Sequence, residues 1–497
     1  MSCVPPDGPD FTPDPRRWRA FAVCLVAGFM SLLDVSIVNV ALPSMRTGLG
    51  ATESQLQWVV SGYALAFGLV LVPSGRLGDV RGRRPVFIAG VALFTLASAV
   101  CGLAPSAHWL VVARLVQGVA GGMINPQVSG FVQQLFRGAE RGKAFGLLGA
   151  TIGLSTAVGP LTGGALIALF GTDHGWRAVF FVNVPVGVVA VALAFRLLPA
   201  PHPSGRKESL DPVGVALLGA GVLAILLPLV QNRSWAGNGK WLLVPAGLAL
   251  LGAFVLWERR YEARGKEPMV ALGLFRRRSY ALGAGIALVY FGGFTAIFFI
   301  LALYLQVGLG YTALQSGLAV TPFALGSAVA SALGGRAVTR LGRPLVTAGL
   351  VAVVAGLVVT DVLVAAAGSG SMGVPVGWAI CPSLLVAGIG SGLVISPNIT
   401  LTLAEVPVER AGSAGGVLQT GQRIGSAVGI AVVGAVFFDT LVAQHGDWTA
   451  AVRAGLWVSV AVVAVALAIA LTDLWTARRA RARESRSQTV LVRSPER

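Results

Sequence analysis

Two ionisable side chains sit where a membrane would ordinarily forbid them. Asp34 lies inside the apolar run that follows Trp18, and Arg114 inside the one that follows Trp109. An ionised carboxylate within a spanning helix costs roughly 2.5 to 3.5 kcal/mol even on lenient insertion scales, so it must be paired, hydrated or protonated. Desolvation favours the protonated carboxyl and a nearby cation favours the ionised one. A change of surroundings between two conformations would therefore make Asp34 take up and release a proton. Arg114 falls five residues after Trp109 and Asp34 nine before Pro43, depths of about 8 and 13 Å at 1.5 Å per residue. Two long side chains can close that gap, directly or through water, so the pair is a candidate proton-coupling site.

Other charges and small residues point to movement rather than bond chemistry. The turn Gly75 to Pro85 holds Asp79, Arg76, Arg81, Arg83 and Arg84. Taken alone, a charge run at a turn reads as a solvated face. Gly149, Gly153, Ala157, Gly159 and Gly163 recur at about one-turn spacing around Pro160, as do Gly421, Gly425 and Gly429; small residues so spaced let helices touch backbone to backbone. Arg423 lies about ten residues into a late span with no partner nearby in sequence; it reads either as a packing residue or as the companion of a cavity or anionic ligand. Asp361 is expected to snorkel outward. The histidines His108, His174, His202 and His445 fall in loops or at span ends, so no histidine relay is supported. Cys3, Cys24, Cys101 and Cys381 lie far apart, giving neither a disulfide framework nor a metal site. No phosphate-binding GxxxxGK[ST] and no HExxH occurs, and no cofactor is implied.

The elements that position these residues follow from composition. Of 497 residues 55% are hydrophobic and 12% charged, with 65 glycines. That charged share is about half that of a soluble domain, so lipid must be the solvent. Windows of about 20 apolar residues give fourteen spans, from 20–42 to 450–475, with tryptophans such as Trp109, Trp176 and Trp257 near their ends, where an interfacial belt would place them. With both termini cytoplasmic, 31 of the 38 Lys and Arg fall on the inner side and 5 on the outer, which orients the chain. The same count explains the net charge of +17 through anionic lipid, with no nucleic-acid partner. The fold expected is all-α and integral to the membrane, with 14 transmembrane helices.

The chain repeats itself. Gly75-Arg-Leu-Gly-Asp-Val-Arg-Gly-Arg-Arg-Pro85 returns as Gly335-Arg-Ala-Val-Thr-Arg-Leu-Gly-Arg-Pro344, 260 residues on. Parallel repeats of this kind are a transporter architecture. They divide the chain 6+2+6: a cytoplasmic tail 1–17, a six-helix half 18–200, an inserted two-helix hairpin 211–260, a second six-helix half 275–475 and a basic cytoplasmic tail 476–497.

On these residues the chain resembles the fourteen-helix drug:proton antiporters of the major facilitator superfamily over about 18 to 475. Gly75, Asp79, Gly82, Arg83 and Arg84 match the signature loop; Arg114, Gln117, Gly118 and Gly121 match the fourth-helix motif; Gly146, Gly159, Pro160, Gly163 and Gly164 match the antiporter motif of the fifth. Leu33-Asp34-Val-Ser-Ile-Val-Asn-Val-Ala-Leu-Pro43 resembles the first-helix motif, and Trp176-Arg177 with Asn183-Val-Pro185 the entry to helix six. Ser155 replaces a usual glycine, Ser36 a usual threonine, and Thr339 the acid of the second loop copy. The resemblance implies a monomeric exporter of a bacterial inner membrane, driven by protons and acting on a small lipophilic drug, dye or antibiotic. It further implies that the signature loop is a cytoplasmic gate, in which Asp79 could cap the positive N-terminal end of a helix in the other half near Ser413 and Arg83 or Arg84 could meet Glu140 or Glu409, and that the helices bearing the two glycine series lie where the halves meet; Gln117 and Arg423 are candidate cavity residues. The Arg-rich, Lys-poor usage points to a GC-rich bacterial genome. An uptake symporter of the same fold is the alternative, which the antiporter motif disfavours; a membrane-embedded enzyme lacks a catalytic cluster. The hairpin is expected to lie outside the transport path and to bring no intramembrane charge.

Overall fold

Backbone polar groups have no water to bind in a bilayer, so apolar runs of this length close their hydrogen bonds within helices. The computed structural model of the chain describes residues 13–171, 173–200, 211–230, 235, 237–368 and 373–492, and among them there is no strand. Among the described residues fourteen helices are long and apolar enough to cross a membrane. They are α1 (Arg17–Leu49), α2 (Glu53–Arg81), α3 (Arg83–Gly102), α4 (Ala107–Leu135), α5 (Gly138–Phe170) and α6 (Gly175–Leu197). The pair α7 (Pro212–Val230) and α8 (Leu243–Ala263) follows, and then α9 (Arg278–Leu303), α10 (Ala313–Leu341), α11 (Arg343–Gly368), α12 (Cys381–Thr402), α13 (Ala411–Ala443) and α14 (Trp448–Val492). Leu96, Val112, Val188 and Val329 are among the exposed apolar side chains, as expected of helices whose outer faces meet lipid.

The internal repeat extends into local structure. Thr52 and Gln55 form a capping box at the start of α2, and Thr312 with Gln315 form the same box at the start of α10, each hydroxyl and amide satisfying two otherwise orphaned N–H groups. Both helices end on a glycine in a positive-φ conformation, Gly82 at 93° and Gly342 at 61°, where a side chain would be strained. Boxes and glycines are each 260 positions apart.

Between the halves, α2 crosses α13 and α10 crosses α5, with α4 touching α13 and α12 touching α5. The hairpin α7–α8 packs on α2 and α13. Leu65, Val222 and Leu226 form one apolar cluster there with Ile424, and Val72, Phe254, Met269 and Val270 form another.

Several expectations are corrected. Trp176 is fully buried against Gly48 of α1, with its ring under Arg177, rather than at the interface; its place at a span end hid that α6 begins by tucking inward. Helix α14 continues to Val492, past the expected end at 475. The hairpin carries buried acid at its base. Glu258 and Asp211 are 0% and 3% exposed, with Asp211 accepting from the Trp257 indole at 2.7 Å and Glu258 from the Val270 backbone at 3.3 Å. Residues 1–12 of the N-terminal tail, Cys3, and the connection 201–210 with His202 lie outside the described residues.

Candidate functional site

Helices α1, α3, α4 and α6 bring one polar cluster together inside the first half. Asp34 is 0% exposed and Arg114 1%. The Arg114 guanidinium donates to Asp34 Oδ2 at 2.5 Å, Gln117 Nε2 to Oδ1 at 2.9 Å and Asn183 Nδ2 to Oδ1 at 3.1 Å. Around this core Arg114 also donates to the Val59 carbonyl at 3.0 Å and to Gln117 Oε1 at 2.7 Å, while Ser98 accepts from Gln117 and Asn183 and donates to Phe180 O. The Tyr63 ring covers the guanidinium, 4.2 Å from centroid to Cζ. The contact between Asp34 and Arg114 is direct, and removing either member of such a buried pair would cost about 3 to 5 kcal/mol.

Gln117 is corrected by this geometry. It is fully buried and serves the carboxylate rather than lining a cavity. In the sequence Asn183 stands only in the entry motif of helix six, and nothing there singles out Ser98 or Tyr63. One signal for Asn183 was available: a two-donor amide at the mouth of an apolar span needs an acceptor, and Asp34 was the nearest unsatisfied one.

The signature turn meets the other half. Asp79 accepts from the backbone N–H of Gly412 at 2.9 Å and of Ser413 at 2.8 Å, two of the orphan donors at the start of α13. Its side chain is 0% exposed, and Arg83 donates to it at 3.2 Å. Beneath it the backbones touch: a Cβ on Gly75 would lie 2.3 Å from the Gly412 carbonyl oxygen. The proposed acidic partners of the arginines are corrected. Glu140 pairs with Arg17 at 3.0 Å, while Arg83 donates to the Val408 and Gly130 carbonyls and Arg84 to the Phe195 carbonyl. Phe195 lies in the last turn of α6, where a helix end leaves carbonyls free for such a donor. Arg76 pairs with Glu267, in the segment following α8, at 2.9 Å.

The glycine series separate into faces. Gly142, Gly146, Gly149 and Gly153 meet α10 or α12 of the second half, whereas Gly159 and Gly163 meet Ser36 and Ile37 of α1 in their own half. On α13, Gly412 and Gly416 meet α2, but Gly421, Gly425 and Gly429 meet α9 within the second half. Their assignment to the junction of the halves is thus corrected: from 416 to 421 a helix turns about 140°, onto its opposite side. Gly164 has open space where a Cβ would stand. Ser155 donates to Ile152 O of its own helix at 2.9 Å, and α5 runs unbroken through Pro160.

Asp361, expected to snorkel, is 4% exposed and accepts from Arg453 at 2.9 and 3.2 Å. Arg423 is half-buried, with its Cζ 4.6 Å from the Phe67 ring centroid. Such a contact offsets about 0.5 to 2 kcal/mol of a burial cost near 2.5 to 3.5 kcal/mol.

Comparison with known proteins agrees with this architecture. The Major Facilitator Superfamily model matches residues 24–430. The "Probable actinorhodin transporter" of Streptomyces coelicolor is 39% identical over 446 residues, 88% of this chain and 76% of the relative. "Puromycin resistance protein pur8" of Streptomyces alboniger is 35% identical over 442 residues, 88% of this chain and 84% of that one. The solved proton:xylose symporter XylE shares the fold with a TM-score of 0.63 at 16% identity, over 92% of this chain and 95% of its own. Fourteen apolar helices and these bacterial relatives mark a multi-pass protein of the cytoplasmic membrane. The chain belongs to the major facilitator superfamily and is a transporter, similar to a probable actinorhodin transporter and a puromycin resistance protein.

Proposed function

We propose that the chain is a proton-coupled antiporter that exports lipophilic drugs, dyes or antibiotics by alternating access, with Asp34 as the proton carrier and the basic end of the bundle facing the cytoplasm. The observation that carries this reading is the fully buried carboxylate of Asp34 held by three side-chain donors, one of them a guanidinium. Those contacts tie α1 to α4 and α6 only while the carboxylate accepts all three. A proton arriving on Oδ2 replaces the Arg114 hydrogen bond and cancels the charge, leaving Arg114 to the Val59 carbonyl and Gln117. The geometry around α1, α4 and α6 then loses its tie. Proton occupancy and helix arrangement become one equilibrium, and a ligand that favours one arrangement shifts the other. In this arrangement Asp79 clasps the start of α13 at the basic end, which supports a gate there. The signature turn therefore acts as the gate that must release for cytoplasmic access. The export direction is supported by the antiporter motif and by the named activities of the relatives.

The test is transport by the purified protein in vesicles with fluorescein and rhodamine 6G as probes. Asp34→Asn is expected to abolish efflux driven by an imposed pH gradient while retaining dye binding, and Asp34→Glu to retain partial function. Wild-type gradient-driven rates from Asp34→Asn would overturn the proposal.

A further inference from the structure

Several buried or half-buried arginines of this bundle are paired with acids, but Arg423, deep within its span, is not. Arg114 has Asp34, Arg76 has Glu267, Arg83 has Asp79, and Arg343 has Asp473. Arg423 makes no ion pair and no hydrogen bond among the described residues; its one aromatic support is the face of Phe67. Twelve residues into α13, it sits about 18 Å from that helix's start, well within the membrane thickness. Phe67 is stacked on Tyr63, centroids 6.0 Å apart, and Tyr63 carries Arg114 on its ring. The stack thus anchors one side of Arg423 and leaves the guanidinium N–H edge without an acceptor.

Helical phase says where that edge lies. Gly416 faces α2 and Gly421, Gly425 and Gly429 face α9, while Ile424 packs against the hairpin cluster. At 100° per residue the remaining sector of α13 holds Gln419, Gln422 and Ser426, all half-buried, bordering Arg423. Gln419 donates to Ser129 of α4 at 3.4 Å, so this sector looks across the junction of the two halves rather than at lipid. A guanidinium with free donors beside two amides and a hydroxyl is a site built to receive oxygen acceptors bearing negative charge.

We propose that Arg423 is the substrate-recognition cation of this transporter, and that its preferred cargo is a lipophilic organic anion carrying a carboxylate, phenolate or sulfonate. This rests on the export reading above and adds the charge of the substrate to it. The apolar surroundings select the lipophilic body, and this unpaired intramembrane cation selects the anionic group. A cationic compound would meet repulsion at the same place.

Fluorescein and rhodamine 6G share a xanthene ring and differ in charge, so equilibrium binding to the purified protein, followed by fluorescence anisotropy, reads the preference directly. Loss of a charged hydrogen-bond partner corresponds to about tenfold or more in affinity. Arg423→Gln is therefore expected to bind fluorescein at least about tenfold more weakly than the wild type, with rhodamine 6G binding unchanged or tighter. Arg423→Lys, which keeps the charge, is expected to recover part of the loss. Equal fluorescein affinity in wild type and Arg423→Gln would overturn the assignment, as would an equal loss of both dyes. If Arg423→Gln does not fold, the wild type decides alone: an absence of preference for fluorescein over rhodamine 6G overturns it. Arg423-dependent fluorescein binding with no gradient-driven transport of either dye would defeat the antiport reading and leave this site standing. Gradient-driven export of rhodamine 6G without fluorescein binding would do the reverse.

Discussion

The two crossings between the halves share a geometry and differ in chemistry. At one, a Cβ on Gly75 of α2 would fall 2.3 Å from the Gly412 carbonyl oxygen of α13; at the other, a Cβ on Gly335 of α10 would fall 2.3 Å from that of Gly142 of α5. The helices touch backbone to backbone in both. Yet at the first crossing Asp79 clasps the Gly412 and Ser413 amides, while its counterpart Thr339 is exposed and bonds only the Arg336 carbonyl of its own helix, at 3.4 Å. Close packing is therefore required twice, and an electrostatic clasp is used once. The first crossing is also the one covered by the hairpin and tied, through Arg76 and Glu267, to the segment that follows it. The clasped crossing is the one whose strength a single carboxylate can set.

The largest effects expected come from breaking what the crossings share. Gly75→Leu and Gly335→Leu should each abolish efflux with normal membrane insertion, because the added side chain collides with backbone that cannot yield. Gly425→Leu meets the Leu288 carbonyl inside the second half, where a Cβ would lie 1.9 Å away, and should instead reduce the yield of folded protein. Efflux assays beside size-exclusion profiles separate the two outcomes, and normal transport by Gly75→Leu would remove the packing argument.

Next comes the difference between the crossings. Asp79→Ala leaves two helix-end amides and Arg83 without their acceptor, about 1 to 3 kcal/mol for each unsatisfied group, and should move the population strongly toward an open basic mouth. Asp79→Asn keeps one acceptor, loses about 1 kcal/mol of cap and dipole energy, and should shift the same equilibrium about fivefold. Both are read by the reactivity of cysteines placed along that mouth, with dye binding retained. Lost binding with unchanged reactivity would assign Asp79 to folding instead. Thr339→Ala should change reactivity by less than about twofold, since exposed substitutions usually stay within 0.5 kcal/mol. The smallest effect belongs to Ser155→Gly, whose hydroxyl serves only its own helix; unaltered efflux is expected, and a marked loss would give Ser155 a role the structure does not show.

Much of this was legible because membrane helices obey simple counting. Rise per residue brought Asp34 and Arg114 to neighbouring depths, and the first half's acid pointed to the start of α13, where the structure places it. What stayed hidden needed azimuth rather than depth. Gly421, Gly425 and Gly429 repeat like an interface between halves, but five residues of phase turn them onto α9. Gln117 lies near Asp34 in height, and only its rotation about α4 shows that it serves the carboxylate. Trp176 and Glu258 sit at span ends, where composition alone suggests a ring at the interface and a solvated acid. Tertiary packing buries both.

The central claim, that Asp34 changes protonation as the protein works, is tested most directly by infrared difference spectra of the reconstituted transporter between neutral and acidic pH. The account expects a protonated-carboxyl band that grows on acidification, is present in the wild type and in Asp79→Asn, and is absent from Asp34→Asn. The same band persisting undiminished in Asp34→Asn would show that another group carries the proton.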